Sequence, residues 1–159
     1  MTGVQTCALP IFDFYEPMTV HESSLSPCVH AIQAAKLGRQ DKAYEMYLRT
    51  ARLDLDDYNN DTEDGLHITS MAGTWLALVK GFGGMRVQND RLSFSPFLPD
   101  KWQSFSFRIG FRGSLLRVTV NREKVEISNL SDKETSVVLF GENVLVRAGQ
   151  NKVLEFEMN

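Results

Sequence analysis

Two short polar segments hold the side chains best suited to handling an anion: His21-Glu22-Ser23-Ser24, and the stretch from Glu63 to Ser70 that contains His67 and Thr69. The first lies just before a helix start, where unbonded backbone N–H groups and the positive end of the helix dipole attract negative charge, and two hydroxyls add donors. Serines in such a place also serve as helix caps, so the motif by itself leaves both roles open. His67 likewise precedes a helix, with Thr69 and Ser70 as capping candidates. Beside those oxygens it could bind phosphate, act as an acid or base, or satisfy a core hydrogen bond. Ahead of it Asp54, Asp56, Asp57, Asp61, Glu63 and Asp64 crowd a segment with no basic residue. Carboxylates this close persist in a fold where they are solvated, cap helices or bond a polar ligand, which points to the wall of a sugar-binding cleft.

Other chemistries are poorly served. Asp54, Asp56 and Asp57 lack the central glycine and terminal Glu of a calcium loop, and there is no HExxH, paired CxxC, GxSxG, Walker loop or GxGxxG. No metal and no cofactor are expected. Cys28, in an apolar helix, reads as core; Cys7 and Cys28 make no disulfide framework, so a reduced, cytoplasmic protein is expected. A net charge of -3, a pI near 5.6 and scattered Lys and Arg argue against a nucleic-acid partner. No apolar run approaches the roughly 20 residues that span a bilayer, so no membrane partner is expected.

The positioning elements fall into two halves. Met1 to Ile11, MTGVQTCALPI, resembles the translation of a common sequencing adapter and carries no expectation about the fold. Phe12 to Pro17 reads as a loop or short strand. A helix spans about Pro27 to Leu37, capped by Ser26 and stopped by Gly38. Asp41 caps a second, with Ala43, Tyr47 and Ala51 in one apolar row. Ser70 to Phe82 forms a third, with Met71, Trp75, Leu78, Val79 and Phe82 on one face before Gly83-Gly84 ends it. These suggest helical hairpins rather than a closed bundle. From Met85 the apolar period changes to 2. MRVQ, an Asn89-Asp90 turn and RLSFS predict a hairpin, and SFRIGFR, SLLRVTVN, KVEISN, TSVVLF, NVLVR and KVLEFEM predict six further short strands of a β-sandwich or jelly roll.

FDFYEPMTVHESSLSPCVHAI, ARLDLDDYNNDTEDGLHITSMAGTW and GFGGMR resemble the C-terminal part of glycoside hydrolase family 65, and most of all its maltose and trehalose phosphorylases. The resemblance implies an α+β chain: residues 12–84 as the last helices of an (α/α)6 catalytic barrel, and residues 85–159 as a small, jelly-roll-like C-terminal β-sandwich. It implies an inverting phosphorylase, in which inorganic phosphate attacks the anomeric carbon of a disaccharide while a Glu protonates the leaving oxygen. Phosphate is already an anionic nucleophile, so the second carboxylate of an inverting hydrolase is dispensable. Carried over, His67, Ser23 and Ser24 match the phosphate cradle, and His21, Glu22 and Thr69 lie in the cleft motifs. The general acid is expected upstream of Phe12, which makes this an inactive fragment of an enzyme expected to be a homodimer, with maltose the first-ranked disaccharide ahead of trehalose. A family hydrolase is the nearest alternative. A free-standing carbohydrate-binding β module is another, with Trp102, Phe105, Phe107 and Phe111 as its candidate aromatics, although aromatics alternating along a strand usually face a core.

Overall fold

A computed structural model describes residues 3–155. The chain divides into two compact units, Met1–Gly81 and Phe82–Asn159. Helices make up the first and strands the second, the α+β order expected from the change of apolar period.

The first unit contains α1 (Gly3–Tyr15), α2 (Ser26–Lys36), α3 (Gln40–Ala51) and α4 (Ile68–Leu76), the last continuing as a π-helical turn over Ala77–Phe82. Phe12 to Tyr15 are helical, and Glu16–Met18 form a 3-10 turn, so the expected loop or strand is corrected. Pro17 sits in the first turn of that short helix, where its missing N–H would have had no partner. Gly38 ends α2 at φ +76, and the Gly38 and Arg39 N–H groups reach back to the Ala35 and Ala34 carbonyls. Ala34 and Ala43, both fully buried, let α2 and α3 approach closely. Ala31, Met46 and Ala77 then form a core joining α2, α3 and the π turn, with Tyr47 packed on it. Helices α2, α3 and α4 each touch the other two, a mutual cluster rather than separate hairpins.

Several expected caps do different work. Ser26 is the first residue of α2, and its hydroxyl bonds His21; Asp41 lies inside the first turn of α3 and caps nothing with its side chain. Met71 and Trp75, read as core-facing, are half exposed on α4, whereas Val79 and Phe82 are fully buried.

The second unit is a sandwich of two four-stranded sheets: β1 (Arg86–Gln88), β2 (Arg91–Phe94), β6 (Thr135–Leu139) and β7 (Glu142–Val146) in the order 1-2-6-7; and β3 (Ser104–Phe111), β4 (Ser114–Asn121), β5 (Lys124–Asn129) and β8 (Asn151–Glu155) in the order 3-4-5-8. All pairings are antiparallel except β2 with β6. Three two-residue hairpin turns, Asn89-Asp90, Arg112-Gly113 and Phe140-Gly141, have both residues at positive φ, the geometry whose twist matches paired strands. Inward-facing Leu92, Phe94, Leu116, Val118, Val120, Val125, Ile127, Val137 and Leu139 are buried. Phe105 and Phe107 stack at 6.3 Å on the same inner face and are buried, so these two are core and not a sugar platform.

Candidate functional site

The two polar segments singled out in the sequence meet in the first unit. Ser24 Oγ lies 3.3 Å from Thr69 Oγ1, joining the loop before α2 to the first turn of α4 across 45 residues. Two further bonds fix that loop by its backbone: Arg49 Nη2 donates to the His21 carbonyl at 2.9 Å, and Asn59 Nδ2 to the Glu22 carbonyl at 3.4 Å. These two bonds use main-chain carbonyls and so leave the Glu22, Ser23 and Ser24 side chains uninvolved in holding the loop to α3 and the acidic segment. Ser23 Oγ accepts from the Leu25 N–H at 3.4 Å, a local turn that orders the hydroxyl. Glu22 and Ser23 are exposed and Ser24 is half-buried. His21 differs from them, being buried, with Nδ1 2.8 Å from Ser26 Oγ and Nε2 3.5 Å from Glu16 Oε1.

His67 occupies the N-cap position of α4 but makes no cap bond with its side chain. A single carboxylate holds it at two points: Asp54 Oδ2 accepts the His67 backbone N–H at 2.9 Å, and Asp54 Oδ1 lies 2.6 Å from Nδ1. This clamp places the proton on Nδ1 and aims Nε2 away, where Asp61 Oδ2 stands 3.4 Å off. The Asp54 hydrogen bond, with Asp61 beside it, raises the His67 pKa above its ordinary 6.5, opposed by partial desolvation. The same bond lowers the Asp54 pKa below 3.8. Both shifts favour the ion pair. An imidazole with one nitrogen clamped, and its protonated form favoured by the neighbouring carboxylates, is suited to donating a hydrogen bond to an oxyanion.

Residue spacing hid the part played by Asp54. Asp54 and His67 are 13 positions apart, separated by a loop in which Asp57 at φ +47 accepts the Asp61 and Thr62 N–H groups. Within the acidic segment, Asp57 orders the loop, Asp56 pairs with Arg52 and Asp54 orients His67. Ser70, a capping candidate, is instead buried and donates to the Thr50 carbonyl at 2.8 Å, tying α4 to α3. Gly73 brings α4 against α2: a Cβ there would stand 2.9 Å from Cys28 Cβ. Cys28 is buried and burial pushes its thiol pKa up, which suits packing rather than nucleophilic chemistry.

Residues 5–76 match the glycosyl hydrolase family 65 central catalytic domain, and residues 85–146 match the C-terminal domain of the same family, in that order along the chain. The chain belongs to glycosyl hydrolase family 65. It is 56% identical over 136 residues to a maltose phosphorylase of Bacillus subtilis, covering 86% of this chain and 18% of that protein. An alpha,alpha-trehalose phosphorylase of Thermoanaerobacter brockii is 44% identical over 141 residues, covering 89% of this chain and again 18% of the relative. A solved structure described as a putative kojibiose phosphorylase from human microbiome superposes with a TM-score of 0.86 at 36% identity, covering 93% of this chain and 22% of that one. The chain thus spans about a fifth of the length of the family 65 proteins it matches. Its helical unit corresponds to the family's catalytic domain, which is where Ser23, Ser24, His67 and Thr69 lie.

Proposed function

We propose that this chain forms the phosphate-binding side of an inverting family 65 disaccharide phosphorylase. The observation that carries this reading is the meeting of Ser24 with Thr69, two residues along the chain from His67, which Asp54 clamps and whose pKa is raised. Hydroxyls from two separate segments meet at Ser24 and Thr69, and Asp54 is committed to His67. In this reading His67 Nε2–H and the Ser23 and Ser24 hydroxyls hold inorganic phosphate for attack on the anomeric carbon of an α-glucosidic disaccharide. The products are β-glucose 1-phosphate and glucose. The leaving oxygen takes its proton from a Glu elsewhere in the catalytic barrel, so phosphate is co-substrate and no cofactor takes part. Phosphate must displace Asp61 from Nε2 before it can bind.

Maltose ranks first among the disaccharides because the maltose phosphorylase is 56% identical, against 44% for the trehalose and 41% for a kojibiose phosphorylase. The reading includes a cytoplasmic homodimer. The described residues contain no helix long and apolar enough to cross a membrane.

A chimera tests this: the matching segment of the Bacillus subtilis maltose phosphorylase is replaced by residues 12–159. Phosphate-dependent cleavage of maltose is the expected result, with His67→Gln and Ser24→Ala raising the KM for phosphate more than that for maltose. Phosphate-independent hydrolysis, or a phosphate KM untouched by both substitutions, would refute the proposal.

A further inference from the structure

Away from the Ser24–Thr69 contact, three side chains that the sequence keeps apart are brought together: Glu16 in the 3-10 turn, His21 in the following loop and His30 on α2. One ligand-capable atom from each lies within 4.8 Å of the others. The rings of His21 and His30 meet edge to face at 4.6 Å. His21 Nε2 and His30 Nδ1 are buried and have no hydrogen-bond partner among the described residues. Buried ring nitrogens without hydrogen-bond partners are uncommon, and two of them on residues that cluster with a buried carboxylate point to a shared ligand.

We propose that Glu16, His21 and His30 bind a divalent transition cation of the zinc class, through one carboxylate oxygen, His21 Nε2 and His30 Nδ1, with water completing the shell. Ligand chemistry and geometry support this. Two imidazoles and a carboxylate form a common three-residue set for zinc that keeps one position open. Metal–ligand bonds of about 2.0–2.1 Å in a tetrahedron put ligand atoms about 3.4 Å apart. The Glu16–His21 separation is already 3.5 Å, and the third ligand, within 4.8 Å of the others, must close by up to about 1.4 Å, within reach of a ring adjustment. His21 also carries the outer support that such a ligand needs. Its Nδ1 lies 2.8 Å from Ser26 Oγ, and with that hydroxyl accepting from Nδ1–H the lone pair on Nε2 would be left for the cation.

Lys42 is the counterweight. Its Nζ lies 3.3 Å from Glu16 Oε1 and 3.0 Å from Glu45 Oε2, so an ammonium shares the carboxylate that the cation would use. Metal binding must draw Glu16 from Lys42 or use its other oxygen, while Glu45 retains the lysine. Arg49 donates to the His21 carbonyl rather than to its ring. A bound cation would join the 3-10 turn, the loop and α2, fixing the backbone from which Glu22, Ser23 and Ser24 project. The proposal holds whether or not those residues bind phosphate.

The test uses the tag-free 159-residue chain, titrated with Zn2+ by calorimetry and with Co2+ by visible absorption. One equivalent should bind, with a Co2+ spectrum of low, four-fold coordination and a rise in Tm reversed by EDTA. His30→Gln should abolish the spectrum, and Ser26→Ala should weaken affinity roughly 10- to 100-fold as a lost outer-shell partner. Lys42→Met, which removes the competing ammonium and leaves all three ligands in place, should tighten binding. His67→Gln should leave it unchanged. No stoichiometric binding by the unaltered chain overturns the proposal, as does binding that survives His30→Gln, binding abolished by His67→Gln, or weaker binding in Lys42→Met.

Discussion

Replacing Gly73 by alanine sets two effects of opposite sign against each other. Gly73 lies inside α4, where exchanging glycine for alanine stabilises an isolated helix by about 1 kcal/mol. Here the added methyl would stand 2.9 Å from Cys28 Cβ, 3.2 Å from its Sγ and 3.4 Å from Thr50 Cγ2. Carbon atoms settle at about 3.5–4.0 Å, so α4 and α2 must part by up to about 1 Å. Cys28 is 4% exposed and Thr50 2%, so neither can swing into solvent to make room. Overpacking of this kind costs about 1–3 kcal/mol and outweighs the propensity gain, for a net loss of about 1 kcal/mol. Since Ser70 Oγ bonds the Thr50 carbonyl, the displacement also reaches the start of α4, where Thr69 meets Ser24. Urea unfolding followed by Trp75 fluorescence in a Trp102→Phe background reports on this helix, because the chain has only these two tryptophans. A lower midpoint with an unchanged slope is expected. A Gly73→Ala chain more stable than its parent would refute the reasoning, since it would mean that α4 and α2 are not in the contact described.

The Asp54–His67 pair should stabilise the first unit fully between their ordinary pKa values of 3.8 and 6.5. That stabilisation fades in acid as pH falls through the lowered Asp54 pKa, and in alkali as pH rises through the raised His67 pKa. Asp54→Asn should move the His67 NMR titration midpoint down toward 6.5; an unmoved midpoint would remove the clamp from the account. Asp61→Asn, by freeing Nε2 of its competitor, should lower the phosphate KM of the chimera about two- to fivefold, the scale of a weak exposed pair. Gly84→Ala should destabilise the β unit by about 3 kcal/mol or more in thermal unfolding. At φ +58 its new Cβ would fall 2.3 Å from the Ser95 carbonyl oxygen, a backbone atom that cannot rotate away. Leu116→Ala, at a fully buried site on β4, should cost about 2–5 kcal/mol by the same assay, and a loss below 1 would mean that the sheets do not close over it.

Much of the architecture is a local property and is therefore legible in the residue order. Alternation along SLLRVTVN sends Leu116, Val118 and Val120 to one face, and that face is buried. Asn89-Asp90 tolerates positive φ and turns a hairpin between Arg86 and Phe94. The break at Gly83-Gly84 coincides with the end of the π turn. His67, Ser23, Ser24 and Thr69 stand out by type, and their motifs carry the family 65 resemblance. Tertiary structure alone decided which of these groups meet. Ser24 reaches Thr69, Asp54 grips His67, and Ser26 leaves its expected cap to hold His21, because helix packing brings together residues that no helical or strand period relates. The exposure of Met71 and Trp75 was hidden for the same reason. An apolar stripe shows that a helix has a face to cover, whereas the neighbours present determine which part is covered. Glu16, His21 and His30 follow no ligand spacing along the chain; they converge only when the 3-10 turn folds back on α2.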